Sequence, residues 1–222
     1  MKKVLIIFLL IPIITIAQTK IDGVGFFRIG KSKAQILDSL KAYLGEPIEY
    51  DGGDDSKFTS EHFYKEIDGS SDQGNWFYFC PSFERYDIPL FTISSIDFHN
   101  VYLVFNGDSL VYFNSEWSRE IENAVNVKYG NGKLVKSHFN SYNNKKVFTS
   151  YKITWKSSND ISCECGYSDG CVGEDNVCGY FIIGKKLIRD KINDCMAKYY
   201  KKRNIERKEK QKKELKDKLH DF

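Results

Sequence analysis

Residues 101–113 read VYLVFNGDSLVYF, and this stretch decides the class of fold. Two runs rich in β-branched and aromatic residues flank Asn106 and Gly107, and Asn-Gly between such runs is the strongest short-range signal for a β-hairpin. The composition also favours sheet, since 15% of the 222 residues are aromatic and only four are Pro. Flat rings pack well on a pleated surface. The chain is therefore expected to contain antiparallel sheet.

Two helices are predicted, one on each side of this hairpin. The first begins at Ser32, because Ser32 and Gln35 form a capping box, and it ends at Gly45. The second is predicted over residues 115–129. Their apolar stripes consist of Ile36, Leu37, Leu40, Tyr43 and Leu44 in the first helix and of Trp117, Ile121, Ala124, Val125 and Tyr129 in the second.

Four further segments read as strands, namely residues 76–80, 91–98, 147–155 and 161–167. The stretches from Ile36 to Gly45 and from Ile121 to Gly130 both span nine positions, and each is followed by a loop and aromatic-rich strands. This similarity predicts two copies of a helix-then-sheet unit. The expected fold is α+β, with helices packed on antiparallel sheet, two similar helix-plus-sheet units and a long C-terminal helix.

Three short segments carry a resemblance to a known group of proteins. Ile29-Gly30-Lys31-Ser32 enters the first helix, Leu44-Gly45-Glu46-Pro47 closes it, and residues 103–110 follow later. In these segments the chain resembles the β-lactamase-inhibitor-protein-like fold and is similar to small protein A, an outer-membrane assembly lipoprotein. The resemblance covers residues 24–113 well and 115–167 loosely. It implies an exported module, sometimes in tandem, and it brings no binding motif that matches this chain.

The first 17 residues read as a secretory signal peptide. Residues 1–3 are Met-Lys-Lys, residues 4–14 are apolar, and small residues precede Gln18. Cleavage would leave 222 − 17 = 205 residues, without a transmembrane segment, in the periplasm or outside the cell. The competing interpretation is an uncleaved N-terminal anchor, but the apolar run is shorter than the ~20 residues of a spanning helix. No Cys follows the cleavage site to carry a lipid.

Export makes the six cysteines disulfide candidates, because exported proteins meet an oxidising environment. They are Cys80, Cys163, Cys165, Cys171, Cys178 and Cys195. On a strand, Cys163 and Cys165 would share one face. If residues 161–167 and 177–183 form a hairpin, Cys165 faces Cys178. The alternative is a zinc site built from Cys163, Cys165, Cys171 and Cys178, although their spacing lacks the usual Cys-x2-4-Cys pairs.

The C-terminal helix, residues 186–222, is predicted to have two parts. An apolar stripe should dock its first part on the body; the stripe consists of Ile188, Ile192, Cys195, Met196 and Tyr199. From Lys198 the tail has 11 basic and 5 acidic residues, a net charge of +6. Such a tail is either a solvated helix stabilised by its own ion pairs or a site for an anionic partner.

The sequence predicts no catalytic residue, metal site or cofactor. The histidines (His62, His99, His138 and His220) are scattered and lie in no nucleophile or metal motif. Two acidic loops, residues 51–56 and 169–175, lack the alternating ligands of a calcium loop. Nucleic acid is not an expected partner of an exported chain with an acidic body.

The function predicted from the sequence is therefore non-catalytic binding of an unknown protein or cell-envelope component. The candidate binding residues are Trp76, Tyr78, Lys208 and Lys212. The alternatives are a secreted hydrolase with a site assembled from distant residues, and a structural or assembly factor of the envelope. The predicted organisation is a signal peptide (1–17), a first unit (18–113), a second unit with a Cys-rich loop (114–185) and the C-terminal helix (186–222).

Overall fold

The structure, a computed structural model, describes residues 20–50, 59–66, 82–140, 147–158, 160–169 and 179–220. Its elements follow in chain order. They are β1 (Gly23–Val24), β2 (Phe27–Arg28), α1 (Lys33–Leu44), β3 (Ile48–Tyr50), β4 (Tyr64–Glu66), β5 (Phe83–Ile93), β6 (Ile96–Asn106), β7 (Ser109–Glu116), α2 (Arg119–Tyr129), β8 (Lys133–Asn140), β9 (Val147–Trp155), β10 (Ile161–Ser168), β11 (Gly179–Lys185) and α3 (Lys186–His220).

Nine of the described strands form one sheet in the order β3-β4-β5-β6-β7-β11-β10-β9-β8. Only β3 and β4 run parallel, and every other neighbouring pair is antiparallel. The predicted boundary between residues 113 and 114 falls inside β7, which pairs with both β6 and β11. The mixed helix and sheet content, the large antiparallel sheet and the long C-terminal helix confirm the predicted class of fold.

The hairpin at residues 101–113 forms as predicted. Asn106 pairs with Ser109 across a two-residue loop, and Gly107 has a φ of 58°, a conformation that glycine adopts without strain. The prediction of one strand over residues 91–98 is wrong. Ile93 pairs with Ile96, so this segment is the tip of the β5–β6 hairpin. The turn residues Ser94 and Ser95 have φ values of 51° and 65° without Gly or Asn, so they carried no turn signal.

The first helix has the caps that its sequence predicts. Ser32 Oγ accepts a hydrogen bond from Gln35 N at 3.3 Å, and the N–H of Gly45 closes α1 by donating to Lys41 O at 3.0 Å. The second helix begins later than predicted, at Arg119 rather than near residue 115. Ser115 and Glu116 are still paired with β11, and Ser118 is the N-cap of α2. Strand pairing thus competes successfully with helix formation over these residues.

The helices α1 and α2 cover one face of the sheet, which holds the larger core. Ile36 and Leu40 of α1 and Ile121 of α2 are buried against it. Full burial of each such side chain contributes about 1.5–3 kcal/mol. The strand residues in this core are mainly aromatic and branched, and they include Leu103, Phe105, Phe113, Phe181, Ile183, Ile153 and Trp155.

The first part of α3 packs on the opposite face. Ile188 and Ile192 are buried against Val104, Tyr112 and Ile182 of the central strands. Residues 200–213 of the same helix are all exposed, so the division into a docked and a solvated part is as predicted. None of the helices in the ranges given above combines the length and the apolar character that a membrane span needs.

Candidate functional site

A cavity of about 580 Å³ lies on the α3 face of the sheet, where β5, β6, β7 and β11 meet. We call it the sheet-face cleft. Alternation along the strands places its side chains there, since Tyr86 and Leu103 point into the large core while their neighbours point to the other face. The polar and aromatic lining consists of Tyr50, Arg85, Asp87, Asn100, Tyr102, Asn114, Ser115 and Glu116.

Arg85 and Asp87 form the most constrained contact in the cleft. They are two residues apart on β5 and therefore on one face. Arg85 Nε and Nη2 donate to Asp87 Oδ1 at 2.8 and 2.5 Å, and the guanidinium carbon lies 4.6 Å from the centre of the Tyr102 ring. Burial raises the pKa of Asp87, and the Arg85 guanidinium opposes this only in part. The guanidinium is thus held in place before any ligand arrives.

Two tyrosines continue this network toward α3. The rings of Tyr102 and Tyr112 stack at 5.8 Å with an interplanar angle of 23°. Burial raises the pKa of both phenols, which also hydrogen-bond to each other, and Asn114 bonds Tyr112. Gly184 on β11 makes room for this arrangement, because a Cβ there would come within 2.6 Å of the Tyr112 ring. The buried Tyr112 ring therefore supports the Tyr102 ring, which lines the cleft.

At the mouth of the cleft, a missing pair in the β5–β6 ladder accompanies the orientation of the Asn100 side chain toward Glu116. The register continues unchanged from Ile88–Val101 to Leu90–His99, so Pro89 and Asn100 are opposite each other, but the ladder omits this pair. Proline has no N–H to donate. Asn100 has a φ of 47°, which asparagine tolerates better than most residues. Its Nδ2 donates to Glu116 Oε1 at 2.6 Å, and both side chains are exposed. An amide and a carboxylate thus face solvent in the cavity that Arg85 also lines.

The cleft has the chemistry of a recognition site. Among the described residues that line the cleft, there are two carboxylates, Asp87 and Glu116, and one guanidinium, Arg85, and this excess of negative charge favours a cationic group in the ligand. Tyr and Arg are the side chains that most often dominate binding energies at interfaces. In the described parts of the chain, no three His, Cys, Asp or Glu side chains are close enough together to hold a metal ion.

In a second group of aromatic residues, the rings stack on one another. Trp117 stacks on Tyr167 at 4.2 Å, and Tyr167 stacks on Tyr151 at 4.8 Å, with Lys136 placed 5.5 Å from the last ring. Gly179, the register partner of Tyr167, leaves the space that Trp117 fills. Because these faces contact one another, the group is a cross-strand ladder within the fold rather than a binding platform.

The predicted site residues are dispersed. Trp76, Tyr78, Cys80, Cys171 and Cys178 lie outside the described residues, as do both acidic loops apart from Asp169. Lys208 and Lys212 are exposed on the solvated part of α3, far along the chain from the cleft. The histidines lie on separate elements, with His62 before β4, His99 on β6, His138 on β8 and His220 at the end of α3. Those of the predicted site residues that the structure describes do not line the cleft.

Cys163 and Cys165 correct one of the disulfide predictions. They share a face of β10 as predicted, but both are buried free thiols. The hairpin with β11 forms, yet its register sets Cys165 opposite Phe181 and Cys163 opposite Ile183, so Cys165 does not bond Cys178. Burial raises the pKa of both thiols, that of Cys165 to about 12. Disulfides among the remaining cysteines stay a prediction.

The sequence did contain a signal for the cleft. Arg85, Asp87 and the intervening Tyr86 alternate charged and apolar residues, which on a strand places two opposite charges on one face. The convergence of β5 with Asn100 and Glu116 depends on long-range pairing that alternation does not reveal.

Comparisons with protein-family models, with curated proteins and with solved structures found no match to this chain.

Proposed function

We propose that this protein is an exported, non-catalytic binding module that recognises a partner protein through the sheet-face cleft. The observation that carries the proposal is that the preset Arg85–Asp87–Tyr102 contact and the exposed Asn100–Glu116 pair line the same cavity. Groups already held in their bonding geometry lose little conformational freedom on binding. The excess of carboxylate over guanidinium favours a lysine or arginine side chain of the partner.

A displayed library of random peptides tests this proposal with the immobilised protein as target. We expect enrichment of peptides that contain Lys or Arg. We also expect the Glu116→Lys variant to lose binding of those peptides by tenfold or more, a change that corresponds to ~1.4 kcal/mol. Glu120→Lys is the matched control, because Glu120 is an exposed glutamate on α2 away from the cleft. Equal binding by both variants would place recognition elsewhere.

Export to the periplasm or beyond the cell is part of the same proposal. It rests on the signal-like residues 1–17 and on the resemblance to exported modules. N-terminal sequencing of the protein recovered from the exported fraction should give a chain that starts near Gln18. A chain that keeps Met1 would support the uncleaved anchor instead.

The basic part of α3 is proposed to contribute to partner binding, either to an acidic protein or to an envelope component. Lys208 and Lys212 are exposed and accessible for it. A crosslinked pull-down from the native exported fraction separates the two surfaces when the full chain is compared with a chain that ends at Tyr200. A partner lost on truncation depends on the tail, whereas one lost with Glu116→Lys depends on the cleft.

We further propose that the sheet consists of two copies of one helix-then-sheet unit, as the resemblance implies. The order of the strands supports this proposal. After α1, β3 to β7 fill the sheet in chain order from one edge inward, and after α2, β8 to β11 fill it in chain order from the other edge. The two runs meet antiparallel at β7 and β11, and both helices pack on the same face.

A further inference from the structure

The two edges of the sheet differ sharply. At one edge, β3 has only three residues, and a very short edge strand offers little backbone for pairing. At the other edge, β8 has eight residues whose register with β9 continues without a bulge from Lys133 to Asn140. It contains no Pro. No described residue pairs with its outer side, since β8 ends the strand order.

This edge also exposes apolar side chains. Leu134, Val135 and Phe139 on β8 are 46%, 50% and 45% exposed, and Val147 beside them on β9 is 67% exposed. Val135 and Phe139 lie on the same face as Ser137, and Phe139 packs on Phe148 of β9 with ring centres 5.6 Å apart. A long, regular and apolar edge is a template for pairing with another strand.

The order of residues in β8 favours a second copy of the same strand as that partner. In an antiparallel pair, directly opposite residues lie on the same face of the sheet. When two copies of one strand pair about a two-fold axis, one residue must therefore lie opposite the same residue of the second copy, and the axis passes between these two residues. An axis at Ser137 sets Val135 against Phe139 of the second copy, and the reverse, with two serines between them. An axis at Lys136 would instead oppose two lysines, and like charges directly opposite destabilise a sheet.

We propose that β8 pairs antiparallel with β8 of a second copy about a two-fold axis at Ser137, which joins the two sheets into one. The pairing gives partners to the outer N–H and C=O groups of residues 134–140. It also sets Val135 of each copy against Phe139 of the other copy, so both exposed apolar side chains are covered in both copies. On the other face, Lys136 is opposite His138 of the second copy, so no two lysines are opposed.

Sedimentation velocity of the purified protein from about 1 to 100 μM tests the proposal. We expect a reversible monomer–dimer equilibrium in which Val135→Lys raises the dimer dissociation constant about tenfold or more, because it sets a charge against the Phe139 ring. Val127→Lys is the matched control, since Val127 is 89% exposed on α2 and should leave the equilibrium unchanged. A monomer across this range overturns the proposal, as does a dimer that Val135→Lys leaves intact.

A crosslink tests the position of the axis. Ser137→Cys places two thiols directly opposite, within the 4.4–6.8 Å between Cα atoms that a disulfide needs. Oxidation with copper phenanthroline should then give a covalent dimer on a non-reducing gel, beyond any seen with the wild type. His138→Cys, one residue along and facing Lys136, should not. Crosslinking of His138→Cys but not of Ser137→Cys would overturn this register.

Discussion

At the scale of single residues, Asp87 shows two electrostatic effects in competition. Its carboxylate is held by Arg85, which favours the charged form, but burial in the cleft disfavours that form and dominates, so its pKa is raised. A carboxyl group whose pKa is higher in the folded than in the unfolded state binds its proton more tightly when folded. Its contribution to stability is therefore full below its unfolded pKa of about 3.9 and is lost as the pH rises through the folded pKa.

The Asp87→Asn variant should reveal this loss. We expect its free energy of unfolding to rise relative to that of the wild type between pH 4 and pH 7, because the variant has no carboxyl group whose ionisation burial disfavours. Urea unfolding at several pH values measures the difference, with Asp97→Asn at the exposed β5–β6 hairpin as the control. A relative loss of stability on raising the pH would mean that the Arg85 contact outweighs burial.

The thiols of Cys163 and Cys165 should be unreactive in the native protein. Both are buried against the large core, and their pKa values are raised by that burial. The thiolate is the reactive form, so neither burial nor ionisation favours attack at neutral pH. We expect iodoacetamide to label these two residues only after unfolding in guanidinium chloride, as read by mass spectrometry. Labelling of either residue in the folded protein would contradict their placement.

At the scale of elements, the turn between β5 and β6 carries strain that two substitutions should relieve. Ser94 and Ser95 both have positive φ, as a type I′ turn requires, but neither is a residue that favours it. Ser94→Asn combined with Ser95→Gly should raise the free energy of unfolding by about 1 kcal/mol in urea titrations. The converse change, Gly107→Ala in the next hairpin, should lower it by a similar amount, because its φ of 58° is costly for alanine. If the double variant loses stability, the turn is not strained.

These two hairpins also show which parts of the fold are predictable from sequence. The turn at Gly107 was predictable because Asn and Gly are the residues that its backbone geometry requires. The turn at Ser94 and Ser95 did not, because the flanking pairs decide it. Strand β8 was not predicted either, since apolar and polar residues fall on both of its faces and give no clean alternation. Turns that depend on their own residues could be predicted from the sequence, whereas elements that depend on pairing between distant strands could not.

Glycines opposite aromatic residues recur across the second half of the sheet. Gly184 faces Tyr112, Gly166 faces Tyr180, and a Cβ at either glycine would come within 2.7 Å of the ring. Each ring therefore lies flat over a neighbouring strand that carries no side chain at that position. At Tyr112 this arrangement fixes the ring on which Tyr102 of the sheet-face cleft stacks. The sequence showed only the glycines and the rings, without their pairing.

At the scale of the whole molecule, the seam between β7 and β11 joins residues more than 60 positions apart in sequence. The predicted boundary after residue 113 falls inside β7, which pairs with β6 on one side and with β11 on the other. Nine of the described strands therefore form one continuous sheet, with the cleft beside the seam. A site assembled at such a seam depends on both halves, which is why no local motif announced it.

The two parts of α3 should contribute very differently to stability. Deleting residues 201–222 should change the free energy of unfolding by less than about 0.5 kcal/mol, because residues 201–213 are exposed throughout. Ile192→Ala in the docked part should lower it by about 2 kcal/mol, since Ile192 is buried against the central strands. Chemical denaturation of both variants checks this. A large loss on truncation would mean that the charged part contacts the body.

The unbroken course of α3 has a mechanical consequence. No Gly or Pro interrupts the helix from Lys186 to His220, so nothing acts as a hinge between the docked turns and the charged ones. The 20 residues after Tyr200 extend about 30 Å at 1.5 Å per residue. A tilt of about 10° at the docked turns would move the far end by about 5 Å. A small change in how the docked turns of α3 pack on the sheet would therefore produce a larger displacement of the lysines near the end of the helix.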